Sequence, residues 1–364
     1  MSKPKRMTRR QFFVAGAGLI GVSAFSHEAF SSPQMKPTSK LSASGDQAPS
    51  SQNFSSCSSG PERVVAPPSK SRVLLVKTGD RSDGVRKCFE FFKDNPFRGK
   101  SVLIKPNFNT SDETPGSTHN DTLKAIMTRL RELEAKELTI GDRSGPEPTD
   151  QVFDKKGIRQ LAASFKARLL NFDELGPEGY LKVNPPRSHW QDGFLVARPV
   201  VEAECLISTC CLKTHGYGGV FTMSLKNSVG CVPRKGHTYM RELHSSPNQR
   251  KMIAEINYAY QPTLVILDGL VAFVDKGPMT GPRKEAGVFL AGTDRVAVDA
   301  VGLAILKELG SNEAIMKPKI FEQEQIARAA ELGLGVTSPA DIIIETLDAA
   351  SEACASKIRQ ILLS

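Results

Sequence analysis

The sequence is poor in the features that would name a fold or a cofactor at sight. It has one Trp and five Tyr in 364 residues. No basic block interleaved with aromatics occurs, so the stacking surfaces of nucleic-acid binders are missing and no nucleic-acid partner is expected. No C-x-x-C-x-x-C run is present, which argues against a ferredoxin-type iron–sulfur cluster. No Walker loop occurs, and no G-x-G-x-x-G follows a predicted strand, so the standard nucleotide motifs are absent. The apolar run from Phe12 to Phe25 falls short of the ~20 residues of a membrane span. The first 26 residues contain no Asp or Glu.

That acid-free start decides how the charge is read. The chain carries a net charge of +9, and Lys3, Lys5, Arg6, Arg9 and Arg10 all lie in this segment, leaving a surplus of only four on the rest. A basic region followed by a short apolar run is the pattern of an export signal. The pair Arg9–Arg10 before Gln11–Phe12–Phe13 resembles the twin-arginine signature. The expectation is a signal over residues 1–30, cut between Ala24 and Ser32, read by the twin-arginine export machinery and leaving no stable membrane span. The destination is the periplasm or another extracytoplasmic space. Such signals resemble those of proteins exported already folded, often with a cofactor in place. Residues 31–70 are rich in Ser, Pro, Gln and Gly and lack apolar periodicity, so a disordered linker is expected there. Cys57 falls within it, with no lipobox before it.

From residue 71 to 364 short apolar runs alternate with amphipathic stretches. Strands are expected at Arg72–Lys77, Ser101–Lys105, Glu137–Gly141, Arg168–Phe172, Cys205–Thr209, Thr263–Asp268, Ala286–Ala291 and Asp341–Thr346. Helices are expected at Asp83–Asp94, Asp121–Leu133 with Asn120 or Asp121 as cap, 157–165, Asn248–Tyr260, Asp294–Leu309, 321–333 and 351–363. Alternation at this spacing predicts one α/β domain with a mostly parallel open sheet and flanking helices. An irregular insertion covers 173–200, with an antiparallel pair at Tyr180–Val183 and Phe194–Val200.

In open parallel sheets ligands bind beyond the carboxyl ends of the strands. Lys105–Asn107, Asp142 with Ser144–Gly145, Lys213–His215 and Asp268–Gly269 all fall just after predicted strand ends, so they are expected to converge on one crevice. The stretch from Cys205 to His244 is the richest in reactive side chains. Lys105, Lys213 and Lys226 suit a small anion, since each ammonium offers three donors. Gly216, Gly218 and Gly219 allow close backbone approach. His215 suits proton transfer or metal binding, and Asp142 or Asp268 would orient it. A metal ion would draw on His215, His237 and His244, although His237-x6-His244 is no recognised motif. His119 is a further candidate. Seven cysteines in an exported chain leave at least one without an intramolecular partner. Cys211 and Cys231 are candidates for redox or metal chemistry, against the plainer reading of buried small hydrophobes.

The fragments VLIKPN (Val102–Asn107), TIGDRSG (Thr139–Gly145), CLISTCCLKTH (Cys205–His215), SLKNSVG (Ser224–Gly230), LVILDGLVAF (Leu264–Phe273) and GP (Gly281–Pro282) occur in this order. Together they resemble the domain of unknown function 362 family over about residues 72–310. The resemblance adds weight to Lys226, which alone reads as a surface lysine, and with it to the neighbouring ligand-binding candidate Asn227. It also implies a redox partner protein, since many members carry ferredoxin-like modules or sit beside redox proteins. The lysine–histidine–glycine stretch is in addition similar to the corresponding part of nickel-pincer lactate racemase. The leading expectation is an exported enzyme of redox or isomerase type acting on a small anionic substrate or cofactor. The alternatives are a non-catalytic anion-binding protein and a subunit of an exported redox complex.

Overall fold

The computed structural model describes residues 69–364. The expected signal, the linker up to Pro68 and Cys57 lie outside these residues.

Eleven strands are present among the described residues: β1 (Ser71–Lys77), β2 (Ser101–Lys105), β3 (Glu137–Asp142), β4 (Arg168–Asn171), β5 (Tyr180–Val183), β6 (Phe194–Ala197), β7 (Cys205–His215), β8 (Val220–Phe221), β9 (Leu264–Phe273), β10 (Arg283–Gly292) and β11 (Ile342–Glu345). Nine form one sheet in the order β11-β1-β10-β9-β7-β2-β3-β4, with β8 paired to β7 at its side. The half from β9 to β4 is parallel throughout. β10 runs antiparallel to both β9 and β1, which makes the sheet mixed but mostly parallel. β5 and β6 form the small antiparallel pair expected of the insertion.

Both faces of the sheet are covered, which is why its central strands read as nearly continuous apolar runs. On one face, Val85 of helix Arg81–Cys88 and Leu123, Ile126 and Leu130 of helix Asn120–Glu132 pack on Leu74, Ile104, Ile140, Ile207 and Ile266. On the other, Val298, Val301 and Ile305 of helix Arg295–Glu308 pack with Ile326 and Ile358 on Val73, Leu75, Leu212, Leu267 and Leu290. A third cluster joins the insertion, through Trp190, Phe194 and Val196, to helix Gln249–Ile256 and to Leu103 and Leu206. Among the described residues no helix is long and apolar enough to cross a membrane.

Several expected boundaries move, and two of the shifts bear on function. β7 runs to His215 and β9 to Phe273, so Lys213–His215 and Asp268–Gly269 lie inside strands, not after them. Hairpin pairing of Thr214 with Phe221 and His215 with Val220 carries β7 onward. β2 stops opposite Ser208, where Pro106 has no N–H for the ladder. β7 therefore overhangs its neighbour, and the crevice opens beyond the ends of β2 and β3 against the wall that β7 makes. The helix expected at Asp83–Asp94 is Arg81–Cys88 followed by a 3-10 turn, Phe89–Phe91. Residues Arg198–Val201 form a helical turn where strand was expected, and helix Thr149–Lys155 was not foreseen. The cap of helix Asn120–Glu132 is His119, not Asn120 or Asp121: its ring accepts from the Asp121 N–H.

Candidate active site

Lys105 ends β2 and Asp142 ends β3, and their side chains meet. The ammonium lies 2.5 Å from Asp142 Oδ1, with side-chain exposures of 2% and 1%. It also donates to the Pro106 carbonyl at 2.8 Å and to Asn227 Oδ1 at 3.2 Å. Asp142 Oδ2 accepts from the Phe108 N–H and Oδ1 from the Arg143 N–H. Burial pulls the Asp142 carboxyl above its ordinary range, and Lys105 and the Phe108 N–H act against that pull. A buried ion pair of this kind holds only if its remaining hydrogen-bonding capacity is met, and here it is. Gly230 closes over it. A Cβ there would lie 2.7 Å from both Asp142 Oδ1 and Lys105 Nζ, so no larger residue fits.

The Ser224–Asn227 turn faces this pair. It is too short to stand alone and is fixed by Asp299, whose carboxylate accepts from Ser224 N, Ser224 Oγ and Leu225 N at 2.8, 2.5 and 2.9 Å. The turn delivers two side chains. Asn227 donates to Ser208 Oγ at 3.0 Å and accepts from Lys105, tying the turn to β2 and β7. Lys226 has no hydrogen bond or ion pair to any described residue.

Lys213 projects from β7 and is fully buried. Its ammonium donates to the carbonyls of Gly116 at 2.5 Å and Pro278 at 3.4 Å, with no carboxylate in reach. Burial lowers its pKa to about 8. Lys226 keeps part of its surface open to solvent, yet the crowding around it, with Lys213 and Arg143 adding repulsion, lowers its pKa to about 7. Arg143 is 4% exposed. Its guanidinium donates to the carbonyls of Val232, Ser144 and Val229.

Lys105, Arg143, Lys213 and Lys226 all line one cavity of about 50 Å³, together with Asn107, Asn109, Thr222 and Asn227. The only carboxylate in the lining is Asp142, which Lys105 already neutralises. Three cations remain without an acid partner in a space large enough for a small oxyanion or a few waters. Asn107 Oδ1 and Asn109 Nδ2 are buried with no partner. The unpaired ammoniums and the Asn109 Nδ2 donor favour negative charge in the cavity, whereas Asn107 Oδ1 is an acceptor and calls for a donor on the ligand.

The other candidates are placed differently. His215 stands behind the cavity. Its Nδ1 accepts from the N–H groups of Tyr217 and Gly219, both at 3.3 Å, which leaves Nε2 to carry the ring proton. Burial and the nearby lysines hold it neutral, far below the usual imidazole range. Gly219 fits between His215 and Lys226: a Cβ would lie 2.9 Å from the ring and 3.1 Å from Lys226 Cε. Gly218 has φ +83°, and Gly216 packs on the Lys276 carbonyl; both shape the β7–β8 turn without lining the cavity. Asp268 is not with this group. It accepts from Arg81 Nε at 3.0 Å and Thr122 Oγ1 at 2.6 Å, under the helices of one sheet face.

His237 is exposed and stacks on Tyr239. His244 is exposed, with Nδ1 on the Met240 carbonyl. No group of three or more His, Cys, Asp or Glu among the described residues is arranged to hold a metal. The six described cysteines are free. Burial raises the pKa of Cys211 and Cys231, the opposite of an activated thiolate.

Arg143, Gly230, Asn109 and Thr222 were not singled out in the sequence. Arg143 and Gly230 sit inside the fragments TIGDRSG and SLKNSVG, which also hold Asp142, Lys226 and Asn227.

The family described as "Domain of unknown function (DUF362)" matches residues 102–304. The chain is 26% identical over 255 residues to "Thylakoid-associated protein sll1697" of Synechocystis sp., covering 68% of this chain and 75% of that protein. Among solved structures, the lactate racemase apoprotein of Thermoanaerobacterium thermosaccharolyticum aligns over 78% of this chain and 85% of its own, at a TM-score of 0.35 and 12% identity. The cavity-lining residues from Lys105 to Pro278 all fall within the matched segment, and the chain belongs to the domain of unknown function 362 family.

Proposed function

We propose that this is an exported α/β enzyme that holds a small carboxylate or oxyanion against Lys213, Lys226 and Arg143 and transfers a proton beside it. The observation that carries the reading is that two lysine ammoniums line one small cavity with no carboxylate to neutralise them. Lys105, paired with Asp142, sets the floor, and Asn107 and Asn227 supply polar contacts.

The proton-transfer part rests on Lys226. Burial lowers the pKa of this amine to about 7 in the ligand-free protein, and once a bound anion holds it charged it suits the role of general acid, giving its proton to the substrate beside that anion. His215 serves as a neutral support for the glycine turn behind Lys226. Isomerisation would follow from the same proton step, with the proton returned to the substrate; redox chemistry would in addition need an electron acceptor, which a partner protein would supply. Export through the twin-arginine pathway is part of the proposal and rests on the N-terminal pattern.

A second reading, an anion-binding protein without catalysis, is favoured by the size of the cavity, which suits an ion better than a bulky substrate. Thermal-shift and calorimetric titration against a panel of small carboxylates, phosphate and sulfate tests both. The proposal expects a ligand whose binding is lost in Lys213→Met and in Lys226→Met while both variants stay folded. It further expects that ligand, or its α-carbon analogue, to exchange a proton with solvent in the wild type only. Binding that survives both substitutions overturns the site. Binding without exchange leaves the second reading.

A further inference from the structure

The loop 109–119 has two sides. Asn109 lines the lysine cavity and the Gly116 carbonyl receives Lys213. Thr114 and His119, from the same loop, face a separate and larger recess of 580 Å³. That volume is within the ~300–1,000 Å³ of small-molecule sites. Its border also includes Arg81, Lys155, Lys156, Val271 and Arg283, with Glu113 as the one carboxylate.

The charges here are incompletely matched. Arg81 uses Nε on the buried Asp268, which is itself fixed by Thr122 Oγ1. Both terminal nitrogens of Arg81 lack a partner among the described residues. Lys156 has one long contact, 3.5 Å to the Asp112 carbonyl, and lies over the Phe108 ring. Arg283 is 3.7 Å from Glu113, an exposed and therefore weak pair, and lies over Phe273. His119 accepts the Asp121 N–H at Nδ1, so Nε2 remains as a donor. Asp268, once expected at the lysine cavity, instead acts as the buttress that orients Arg81.

The geometry points to a second ligand site in this recess, for a small organic phosphate. Lys156 and the free guanidinium edge of Arg81 hold the phosphoryl oxygens, Arg283 supplies a further cation, and Thr114 and Val271 border the organic part. Guanidinium forks match tetrahedral oxyanions, and the volume exceeds what an inorganic ion fills. This site is independent of the lysine cavity and shares no lining residue with it.

Isothermal titration of the full chain with adenosine 5′-monophosphate and with ribose 5-phosphate tests it, with inorganic phosphate as control. At least one organic phosphate should bind one-to-one, more tightly than inorganic phosphate. Lys156→Gln should weaken it at least about tenfold, the usual effect of losing a charge-assisted hydrogen bond. Arg283→Gln, a surface change that leaves folding intact, should weaken it by a smaller factor, and Lys226→Met should leave it unchanged. Absence of binding by both compounds at about 1 mM overturns the proposal. So does full affinity in both Lys156→Gln and Arg283→Gln, or loss in Lys226→Met, which would return the ligand to the lysine cavity.

Discussion

If Lys213 and Lys226 hold an anion, its affinity must fall as pH rises through the range where they lose their protons. Their ammoniums titrate near 8 and 7 without ligand. Above a given pKa, each pH unit costs about tenfold in the fraction still charged. Affinity should therefore decline from about pH 7 and, above about pH 8, approach a hundredfold per unit if both protons are needed. Binding must also draw protons from solution between these values, because the anion restores the charge that burial had weakened.

The ligand-free protein should behave in the opposite sense. A lysine with a folded pKa below its unfolded 10.5 binds fewer protons when folded, so stability rises with pH between the two values. For Lys226 the displacement to about 7 corresponds to ~5 kcal/mol at most, at about 1.4 kcal/mol per factor of ten. Partial solvent contact makes the recovered amount smaller than that limit. Lys226→Met should accordingly stabilise the ligand-free protein at pH 6.5 while abolishing binding. Calorimetry in buffers of different ionisation enthalpy, from pH 6 to 9.5, reads affinity and proton uptake together. Flat affinity across that range, or binding without proton uptake near pH 8, would refute the reasoning.

Three further outcomes follow from the packing. Lys105→Met leaves Asp142 buried and charged, and should cost about 3–5 kcal/mol in chemical denaturation; a loss under about 1 kcal/mol would show the pair to be replaceable. Gly230→Ala forces a methyl against both members of that pair and should reduce ligand affinity more than it reduces stability, checked by titration beside a melting curve. Asp299→Asn keeps one acceptor oxygen but sets an NH2 donor against either the Ser224 or the Leu225 N–H, which bond different oxygens of the carboxylate. It should cost about 1–3 kcal/mol and weaken anion binding through Lys226, although Asp299 does not line the cavity; unchanged affinity would separate the turn from the site.

Much of the fold was legible because its signals are local. SVLIK and ELTIG are apolar runs ended by proline and acid, TLVILD marks where β9 begins although the strand runs past Asp268 to Phe273, and the helix stripe of Leu123, Ile126 and Leu130 repeats at helical spacing. The length of β7 was not legible. Thr209 to His215 reads as polar and mixed, and it is strand only because β8 and β9 pair with it there. Long-range pairing of this kind leaves no mark on a single segment. The same fact explains the site. Lys105, Asn107, Asp142, Lys213, Lys226 and Asn227 do converge, but Asp268 does not: β9 continues past it to Phe273, so it lies within the sheet beside Cys211, where Arg81 and Thr122 engage it. Arg143 escaped notice because sequence does not distinguish an arginine bound to backbone carbonyls from one in water.

The most direct test of the central claim is anomalous diffraction from crystals grown with selenate at pH 6.5, where both lysines carry charge. A selenium peak is expected within hydrogen-bonding distance of Lys213 Nζ and Lys226 Nζ, and its loss in Lys226→Met crystals. A cavity without that peak, at saturating selenate and with both lysines turned away, would contradict it.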